Sequence, residues 1–294
     1  MKHTYTFNWD GHYLELGRDP LIMGIVNVTP DSFSDGGCFF STQTAVAHGK
    51  KLVSQGAHIL DIGGESTRPF SNPVSESEQI KRVVPVIEEL SKKVTVPISI
   101  DTTKAAVAKA ALHAGASIIN DISALRDDEK LGELAANTGA PLILMHMQGM
   151  PKNMQINPVY QNLFDDITTF FKYAINRAKN LGVLSSQIII DPGIGFGKNI
   201  EHNLSLIAHL DYFHQLKFPI LVGHSRKAFI RKTIQSQNEN EPSPDDLQVE
   251  IGTQAAIAVL AQKGAHIIRV HNVANTVTTL KLIKALKKSA TPEK

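Results

Sequence analysis

The 294-residue sequence has little of what marks a secreted, membrane or nucleic-acid-binding protein. Its single cysteine, Cys38, cannot form an internal disulfide, which fits a reducing compartment. The 30 basic and 28 acidic side chains leave a formal net charge of +2, which gives no global attraction for nucleic acid or an anionic membrane. No apolar run is long enough to span a bilayer, and the N-terminus has no apolar signal core. We therefore expect a soluble, cytoplasmic protein with neither nucleic acid nor membrane as a partner.

Residues 1–20 predict a short β-hairpin that packs on the rest of the chain. The dipeptide Asp10-Gly11 lies between two segments in which apolar side chains alternate with polar ones. Asp-Gly in such a setting is a strong hairpin signal, because both residues tolerate the positive φ angles of a two-residue turn.

From residue 21 onward, short apolar runs alternate with helical patterns. The runs are rich in Ile, Leu and Val without clean alternation, which is typical of parallel strands covered on both faces. The runs are 21–27, 58–62, 97–101, 117–120, 141–145, 187–191, 219–223 and 266–270. Eight strands alternating with helices predict an α/β protein with a single (β/α)8 barrel domain over 21–294. A doubly wound open sheet is the alternative, because periodicity does not determine strand order. The polar stretch 235–246 predicts a disordered loop between two helices.

Nearly every predicted strand ends in a polar or charged residue. The set consists of Asn27, Asp61, Asp101, Asn120, Asp191, Lys227, Arg269 and His271. In a (β/α)8 barrel these strand ends form one rim, where the active site lies. A single Asp or Asn there can be only a helix N-cap, as Asp101 could be. Caps do not explain Lys227 and Arg269, because cations are unfavourable at a helix N-terminus without an anion. The set predicts a site for a polar, anionic small molecule.

Three loops at this rim carry further signals. The loops 28–38 and 63–72 are rich in small residues, and we predict that both are mobile lids. The segment 191–198 has glycine at alternating positions but lacks the spacing of a Walker A loop. We expect its glycines to let the backbone approach a flat ligand beside Phe196. His146 is expected to be a structural histidine, and Met145, Met147 and Met150 are expected to pack the rim or the pocket floor.

These motifs together resemble dihydropteroate synthase from about residue 20 to about residue 285. The matching segments are MGIVNVTPDSFSDGG (23–37), DIGGESTRP (61–69), ISIDTTK (98–104), IINDIS (118–123), IIDPGIGFGK (189–198), VGHSRK (222–227) and RVHNV (269–273). The resemblance implies a (β/α)8 barrel that joins 6-hydroxymethyl-7,8-dihydropterin pyrophosphate to 4-aminobenzoate. The products would be 7,8-dihydropteroate, a folate precursor, and pyrophosphate. It also implies inhibition by sulfonamides and a homodimer.

The resemblance also assigns roles residue by residue. The pterin pocket would consist of Asp101, Asn120, Ile122, Met145, Asp191, Phe196, Lys227 and Arg269. The pyrophosphate site would consist of Asn27, Arg269 and His271, with Mg²⁺ held by Asn27 and phosphate oxygens. The aminobenzoate site would consist of Phe33, Thr67, Arg68, Pro69, Ser225 and Lys227. The residues that would carry the catalysis are Asp101, Lys227, Arg269 and His271.

The chemistry of these side chains agrees with the assignment. A carboxylate at Asp191 could accept two hydrogen bonds from the adjacent N–H donors of a pterin edge, and Arg269 is well shaped for phosphate. A single Asn oxygen suits Mg²⁺, which keeps several waters and takes phosphate ligands.

Three positions depart from the family pattern, and two alternative functions stay open. Phe70 stands where Gly is common, Ala228 where Ser is frequent and Asn272 where Asp is usual. The alternatives are a pterin-binding methyltransferase and a non-catalytic pterin-binding homologue. The loop motifs argue against the first, and Asn27, Arg269 and His271 argue against the second.

Overall fold

The computed structural model describes residues 4–29, 37–66, 73–150, 152–236 and 240–289. The first described element is the hairpin, formed by β1 (Tyr5–Trp9) and β2 (His12–Leu16). The strands pair antiparallel, with Phe7 opposite Leu14. Asp10 and Gly11 form the turn with φ angles of 42° and 75°, as a two-residue turn between twisted strands requires. The predicted hairpin is therefore confirmed.

Eight parallel strands follow within the described part of the chain. They are β3 (Leu21–Asn27), β4 (Ile59–Gly63), β5 (Ile98–Asp101), β6 (Ile118–Asp121), β7 (Leu142–Met145), β8 (Ile188–Asp191), β9 (Leu221–Gly223) and β10 (Ile267–Val270). Their order in the sheet is β8-β7-β6-β5-β4-β3-β10-β9. A bridge between Ile190 and Ile220 joins the two outer strands, so the sheet closes. This closure confirms the barrel over the open sheet.

Helices connect the strands and cover the outside of the barrel. Those within the described residues are α1 (Gly37–Ser54), α2 (Glu76–Ser91), α3 (Ala105–His113), α4 (Lys130–Thr138), α5 (Leu163–Asn180), α6 (Ile200–Ala208), α7 (Ala228–Ile234), α8 (Leu247–Gln262) and α9 (Val273–Ser289). α1 begins at Gly37, inside the predicted loop 28–38. The sequence did not reveal this start, because the first turn of the helix has no acidic residue to mark it. None of the helices seen in the described ranges combines the length and apolar character that a membrane span needs.

The barrel interior has two layers that differ in chemistry. The lower layer is apolar and consists of Met23, Ile59, Ile118, Ile143, Ile189, Leu221 and Ile267. The inner face of the hairpin packs against it with Phe7, Trp9, Leu14 and Leu16. The indole Nε1 of Trp9 donates a hydrogen bond of 2.7 Å to the carbonyl of Ser117. The hairpin thus closes the lower end of the barrel, and the strand alternation places the polar residues two positions further along, at the other end.

The segment between α7 and α8, which the sequence predicted to be disordered, makes defined contacts over part of its length. Residues 237–239 lie outside the described residues, but 240–246 form a turn in which Ser243 N donates to Asp246 Oδ2 at 2.7 Å. Asp245 pairs with Arg226, and Glu241 lies 3.0 Å from Arg231. The prediction of disorder was wrong for 240–246. Polar composition alone could not show that two acidic residues meet arginines from another part of the chain.

Candidate active site

Arg269 lies at the centre of the upper layer and is held by two carboxylates. Its Nε lies 2.6 Å from Asp61 Oδ2, and one of its terminal nitrogens lies 3.0 Å from Asp101 Oδ2. The Asp61 side chain is completely buried, whereas those of Asp101 and Arg269 are 10% and 20% exposed. The three residues come from β4, β5 and β10, so barrel closure creates the cluster. The Arg269 side chain keeps 20% of its surface exposed, so an anion could reach the guanidinium.

Asp61 is a site residue for which the sequence analysis predicted no specific role. Besides Arg269, it faces Asn120, whose Nδ2 lies 3.3 Å from Oδ2 and 3.5 Å from Oδ1 of Asp61. The signal available in the sequence was a carboxylate two positions after Ile59 in an otherwise apolar strand. Its partners could not be seen there, because they are 59 and 208 residues away along the chain.

Two carboxylates at this rim, Asp101 and Asp191, have raised pKa values. Burial raises the pKa of Asp101 to about 7, against the opposing charge of Arg269 and with a further contribution from Asp61. Burial likewise raises the pKa of Asp191 to about 6, although a hydrogen bond from Gly193 N at 2.8 Å favours the charged form. Burial disfavours the charge of Arg269 too, but Asp61 and Asp101 keep its pKa above the ordinary value. Shifts of this kind are characteristic of functional sites.

Lys227 lies beside the loop that follows β8. Its Nζ donates to the carbonyl of Ile194 and lies 4.1 Å from the centre of the Phe196 ring. Burial lowers the pKa of Lys227 to about 7, although the charge of Asp191 opposes that shift. A Cβ atom on Gly195, which has a φ of +84°, would lie 2.6 Å from Lys227 Cδ. A side chain at position 195 would therefore collide with the Lys227 side chain, which explains the glycine there. The face of the Phe196 ring stabilises the ammonium group of Lys227.

The alternating glycines of the β8–α6 loop pack closely against protein, and their approach to a flat ligand beside Phe196 stays a prediction. A Cβ atom on Gly193, whose φ is +66°, would lie 1.9 Å from the carbonyl oxygen of His146. The loop is held from inside by Lys198, which is buried and was also missed by the sequence analysis. Its Nζ hydrogen-bonds to His146 Nδ1 at 2.9 Å and to the carbonyls of Gly193 and Phe196 at 3.0 and 2.9 Å. His146 is thus a buried structural histidine, as expected.

An apolar cluster lies against these polar groups. It consists of Ile122, Met145, Met147, Met154 and Phe196. The structure thus brings together the three residues predicted as apolar pocket walls, and it adds Met147 and Met154. Met150 is 61% exposed, so it does not pack the pocket floor, and its place at the rim stays a prediction.

Two further predicted site residues are in direct contact. Ser225, after β9, lies with its Oγ 3.0 Å from Nδ1 of His271, which follows β10. Ser225 is predicted for the aminobenzoate site and His271 for the pyrophosphate site, so the contact would place these two predicted subsites side by side. Asn27 ends β3 next to Gly63, and a Cβ on Gly63 would lie 3.9 Å from Asn27 Oδ1 and 3.7 Å from Asp101 Oδ2. Asn27 therefore lies at the same rim, near Asp101.

The remaining predicted positions are divided between described and undescribed segments. Phe33, Thr67, Arg68, Pro69 and Phe70 lie outside the described residues, as does most of both predicted lids. Ala228 is the first residue of α7 and is exposed. Asn272 accepts a hydrogen bond of 3.1 Å from the backbone N–H of Asn275 at the start of α9. Because Asp can accept the same bond, this departure preserves a helix cap.

Comparison with known proteins identifies the family to which this chain belongs. Residues 23–271 match the model of a family described as pterin binding enzyme. The chain is 44% identical over 275 residues to dihydropteroate synthase from Escherichia coli (strain K12), with 94% of each chain covered. A crystal structure of Yersinia pestis dihydropteroate synthase in complex with a sulfonamide drug superimposes with a TM-score of 0.87, at 45% identity and with 97% and 99% coverage. The Xanthomonas albilineans enzyme with 4-aminobenzoic acid gives a TM-score of 0.88 at 41% identity, with 99% and 100% coverage. The chain belongs to the dihydropteroate synthase family of pterin-binding enzymes.

Proposed function

We propose that this protein is a transferase that condenses 6-hydroxymethyl-7,8-dihydropterin pyrophosphate with 4-aminobenzoate to give 7,8-dihydropteroate and pyrophosphate. The observation that carries the proposal is the geometry of the upper layer. Buried hydrogen-bonding groups and an apolar cluster suited to a flat heterocycle lie directly beside an arginine suited to a phosphate. One substrate that combines these two chemistries would occupy both parts at once.

The pterin ring would lie on the apolar cluster with its polar edges toward Asp191, Asn120 and Lys227. A carboxylate at Asp191 can accept from two adjacent N–H donors of the ring. Lys227 can donate to an acceptor on the ring while its cation stays against Phe196. Asp101 and Arg269 adjoin this pocket through Asp61 and Asn120. The ring is therefore recognised by directed hydrogen bonds in a largely water-excluded layer.

The pyrophosphate would extend from the pterin toward Arg269, His271 and Asn27 at the open end of the rim. Arg269 and His271 would donate to its oxygens as negative charge develops on the leaving group. Mg²⁺ would be held here by Asn27 Oδ1, phosphate oxygens and water, because this ion keeps several waters and takes amide and phosphate oxygens as ligands. When bound, the ion would neutralise part of the leaving-group charge.

The chemistry requires no protein nucleophile. The methylene C–O bond breaks, and its electron pair leaves with pyrophosphate. The methylene then carries positive charge conjugated with the pterin ring, which the carboxylates of Asp101 and Asp191 stabilise. The amine of 4-aminobenzoate attacks this carbon, forms the new C–N bond and releases a proton. Ser225 and Lys227, with Phe33, Thr67, Arg68 and Pro69 of the two loops, would position the amine and exclude water.

The test is pyrophosphate release on mixing both substrates with the purified protein. We expect release that depends on 4-aminobenzoate and is inhibited by a sulfonamide. Asp101→Asn and Lys227→Ala should each lower kcat/KM by roughly 100-fold or more, since the first removes a carboxylate that stabilises the cationic transition state and the second removes the donor to the pterin ring. Lys263→Ala is a matched control, because Lys263 forms a surface ion pair with Asp211 far from the rim. Near-normal kcat/KM in both site variants would refute the residue roles.

The same assay separates the alternatives. A methyltransferase or a non-catalytic pterin-binding homologue would release no pyrophosphate from the two substrates. Pterin binding without any release would therefore refute the proposed activity and leave only the family assignment. The extended match to dihydropteroate synthase over 94% of both chains favours the synthase.

A further inference from the structure

Asp61 connects two residues that the proposed function places in different subsites. Its Oδ2 accepts from Arg269 Nε at 2.6 Å, on the pyrophosphate side. The same carboxylate lies 3.3 Å from Asn120 Nδ2, on the pterin side. The Asp61 side chain is 0% exposed, so it cannot itself touch a substrate. Asp101, the second carboxylate on the guanidinium, is 10% exposed and is the one that can.

The contact with Asp61 determines which end of the Asn120 amide faces the ligand. The two ends of an asparagine amide have nearly the same shape, so packing alone does not orient them. A carboxylate offers only acceptors, and an Nδ2 hydrogen pointing at it forms a hydrogen bond, whereas Oδ1 in the same place would be repelled. The buried Asp61 therefore favours one orientation of Asn120, which is itself only 4% exposed. Oδ1 and the second N–H remain for a bound heterocycle.

Asp61 acts on Arg269 in a complementary way. It binds Nε, while Asp101 binds a terminal nitrogen, so the two carboxylates hold the guanidinium at different positions. A guanidinium held at two points keeps its plane, and its other N–H groups stay directed at one place. One buried carboxylate thus orients the donors of the pyrophosphate site and the acceptor of the pterin site together.

We propose that Asp61 is a positioning residue that sets the hydrogen-bonding polarity of Asn120 toward the pterin and the orientation of Arg269 toward the pyrophosphate. The inference rests on the proposed function, because it names the two ends of that substrate. A purely structural Asp61 that only neutralises Arg269 would make a different prediction. Its loss would lower stability and weaken the pyrophosphate end, but it would leave recognition of a pterin without phosphates unchanged.

The experiment compares Asp61→Asn with wild type in binding two separate probes by calorimetry. The probes are 6-hydroxymethyl-7,8-dihydropterin, which has no phosphate, and inorganic pyrophosphate. The Asn side chain has the same shape but can present a donor to Asn120, so the amide of Asn120 loses its preferred orientation. We expect the Kd for each probe to rise at least about tenfold, as for a site whose buried polar group is mispaired. Asp19→Asn, which removes a carboxylate from a surface pair with Lys284, is the control.

A double-mutant cycle shows whether Asp61 acts on the pterin through Asn120. In an Asn120→Ala background, Asp61→Asn should change the Kd for the dihydropterin less than about twofold, while pyrophosphate binding should still weaken. Full additivity in the cycle, or an unchanged dihydropterin Kd in folded Asp61→Asn, would overturn the inference. Wild type that binds no dihydropterin would instead refute the proposed function, and the inference with it.

A measurement on the wild type covers the case in which Asp61→Asn does not fold. With ¹⁵N-labelled asparagine, one of the two Asn120 amide protons should resonate downfield of its partner before any ligand is added, because it is hydrogen-bonded to the Asp61 carboxylate. Asn120→Ala assigns these signals by their disappearance. Two Asn120 proton signals without this downfield shift in the ligand-free protein would show that the amide does not donate to Asp61, and would overturn the inference.

Discussion

The two ends of the barrel interior are built from the same strands and have opposite chemistry. In β4, β6, β8 and β10, an isoleucine of the lower layer is followed two positions later by a polar residue of the upper layer. The pairs are Ile59 and Asp61, Ile118 and Asn120, Ile189 and Asp191, and Ile267 and Arg269. Two residues of a strand span about 7 Å. Within that distance, the interior changes from a dry core to a layer of buried charges.

The difference between the layers shows where this protein gains stability and where it gives stability up. The lower layer and the hairpin bury apolar side chains against each other, which favours folding. The upper layer buries charges that are costly to desolvate, as the pKa values near 7 of Asp101 and Lys227 show. The ligand binding proposed for this layer would account for its cost in stability. The following predictions test whether stability and function separate along the strand as this comparison requires.

The largest effect is expected from a matched pair of substitutions in β10. Arg269→Met should lower kcat/KM by roughly 1000-fold, because it removes the phosphate donor and leaves Asp61 and Asp101 without their cation. Ile267→Ala, two residues earlier, should lower the free energy of unfolding by about 2–5 kcal/mol and leave kcat/KM nearly unchanged. Steady-state kinetics and urea unfolding of both variants measure this. If Ile267→Ala lost activity while still folded, the two layers would not be independent.

A smaller effect is expected when the hairpin is weakened. Leu16 is fully buried against the lower layer, so Leu16→Ala should cost about 2–5 kcal/mol of stability. Tyr13 lies in the same strand but is 61% exposed, and Tyr13→Ala should change stability by less than about 0.5 kcal/mol. Thermal and urea unfolding provide the measurement. Equal stabilities of the two variants would contradict the assignment of the hairpin as the closure of the lower end.

The smallest effect is expected when the pH is changed by one unit, which should alter kcat/KM through the titrating groups of the upper layer alone. Asp101 and Asp191 lose their charge as the pH falls through about 7 and about 6, so stabilisation of the cation should weaken toward acid. Lys227 loses its charge as the pH rises through about 7, so its contribution should weaken toward alkali. Log kcat/KM against pH should therefore be a narrow bell near neutrality. Its alkaline limb should fall about tenfold per pH unit, and its acid limb about tenfold per unit at first and about 100-fold per unit once both carboxylates titrate.

The arginine variant of Lys227 separates the two limbs. Because a guanidinium stays charged throughout this range, Lys227→Arg should keep the acid limb and lose the alkaline one. A flat wild-type profile between pH 5 and 9 would show that these groups do not govern the reaction.

Much of the fold followed from local patterns in the chain. Asp10-Gly11 between alternating segments was enough for the hairpin, and the eight apolar runs agree with the barrel strands to within two residues at most ends. The disorder expected for 235–246 was wrong where acidic residues meet Arg226 and Arg231. Such pairings join side chains from different elements, and no local pattern contains them.

The candidate site shows the same division. The sequence by itself determined which polar residues end the strands, that Asp101, Asn120, Asp191, Lys227 and Arg269 share a rim once the barrel closes, and to which family the motifs belong. Only the tertiary structure decided that Asp61 joins Arg269 to Asn120, that Lys198 holds the β8–α6 loop, and that Asp101 and Lys227 have pKa values near 7. The physical reason is distance. Strand and helix patterns come from neighbours along the chain, whereas ion pairs and desolvation depend on residues that barrel closure brings together from β4, β5 and β10.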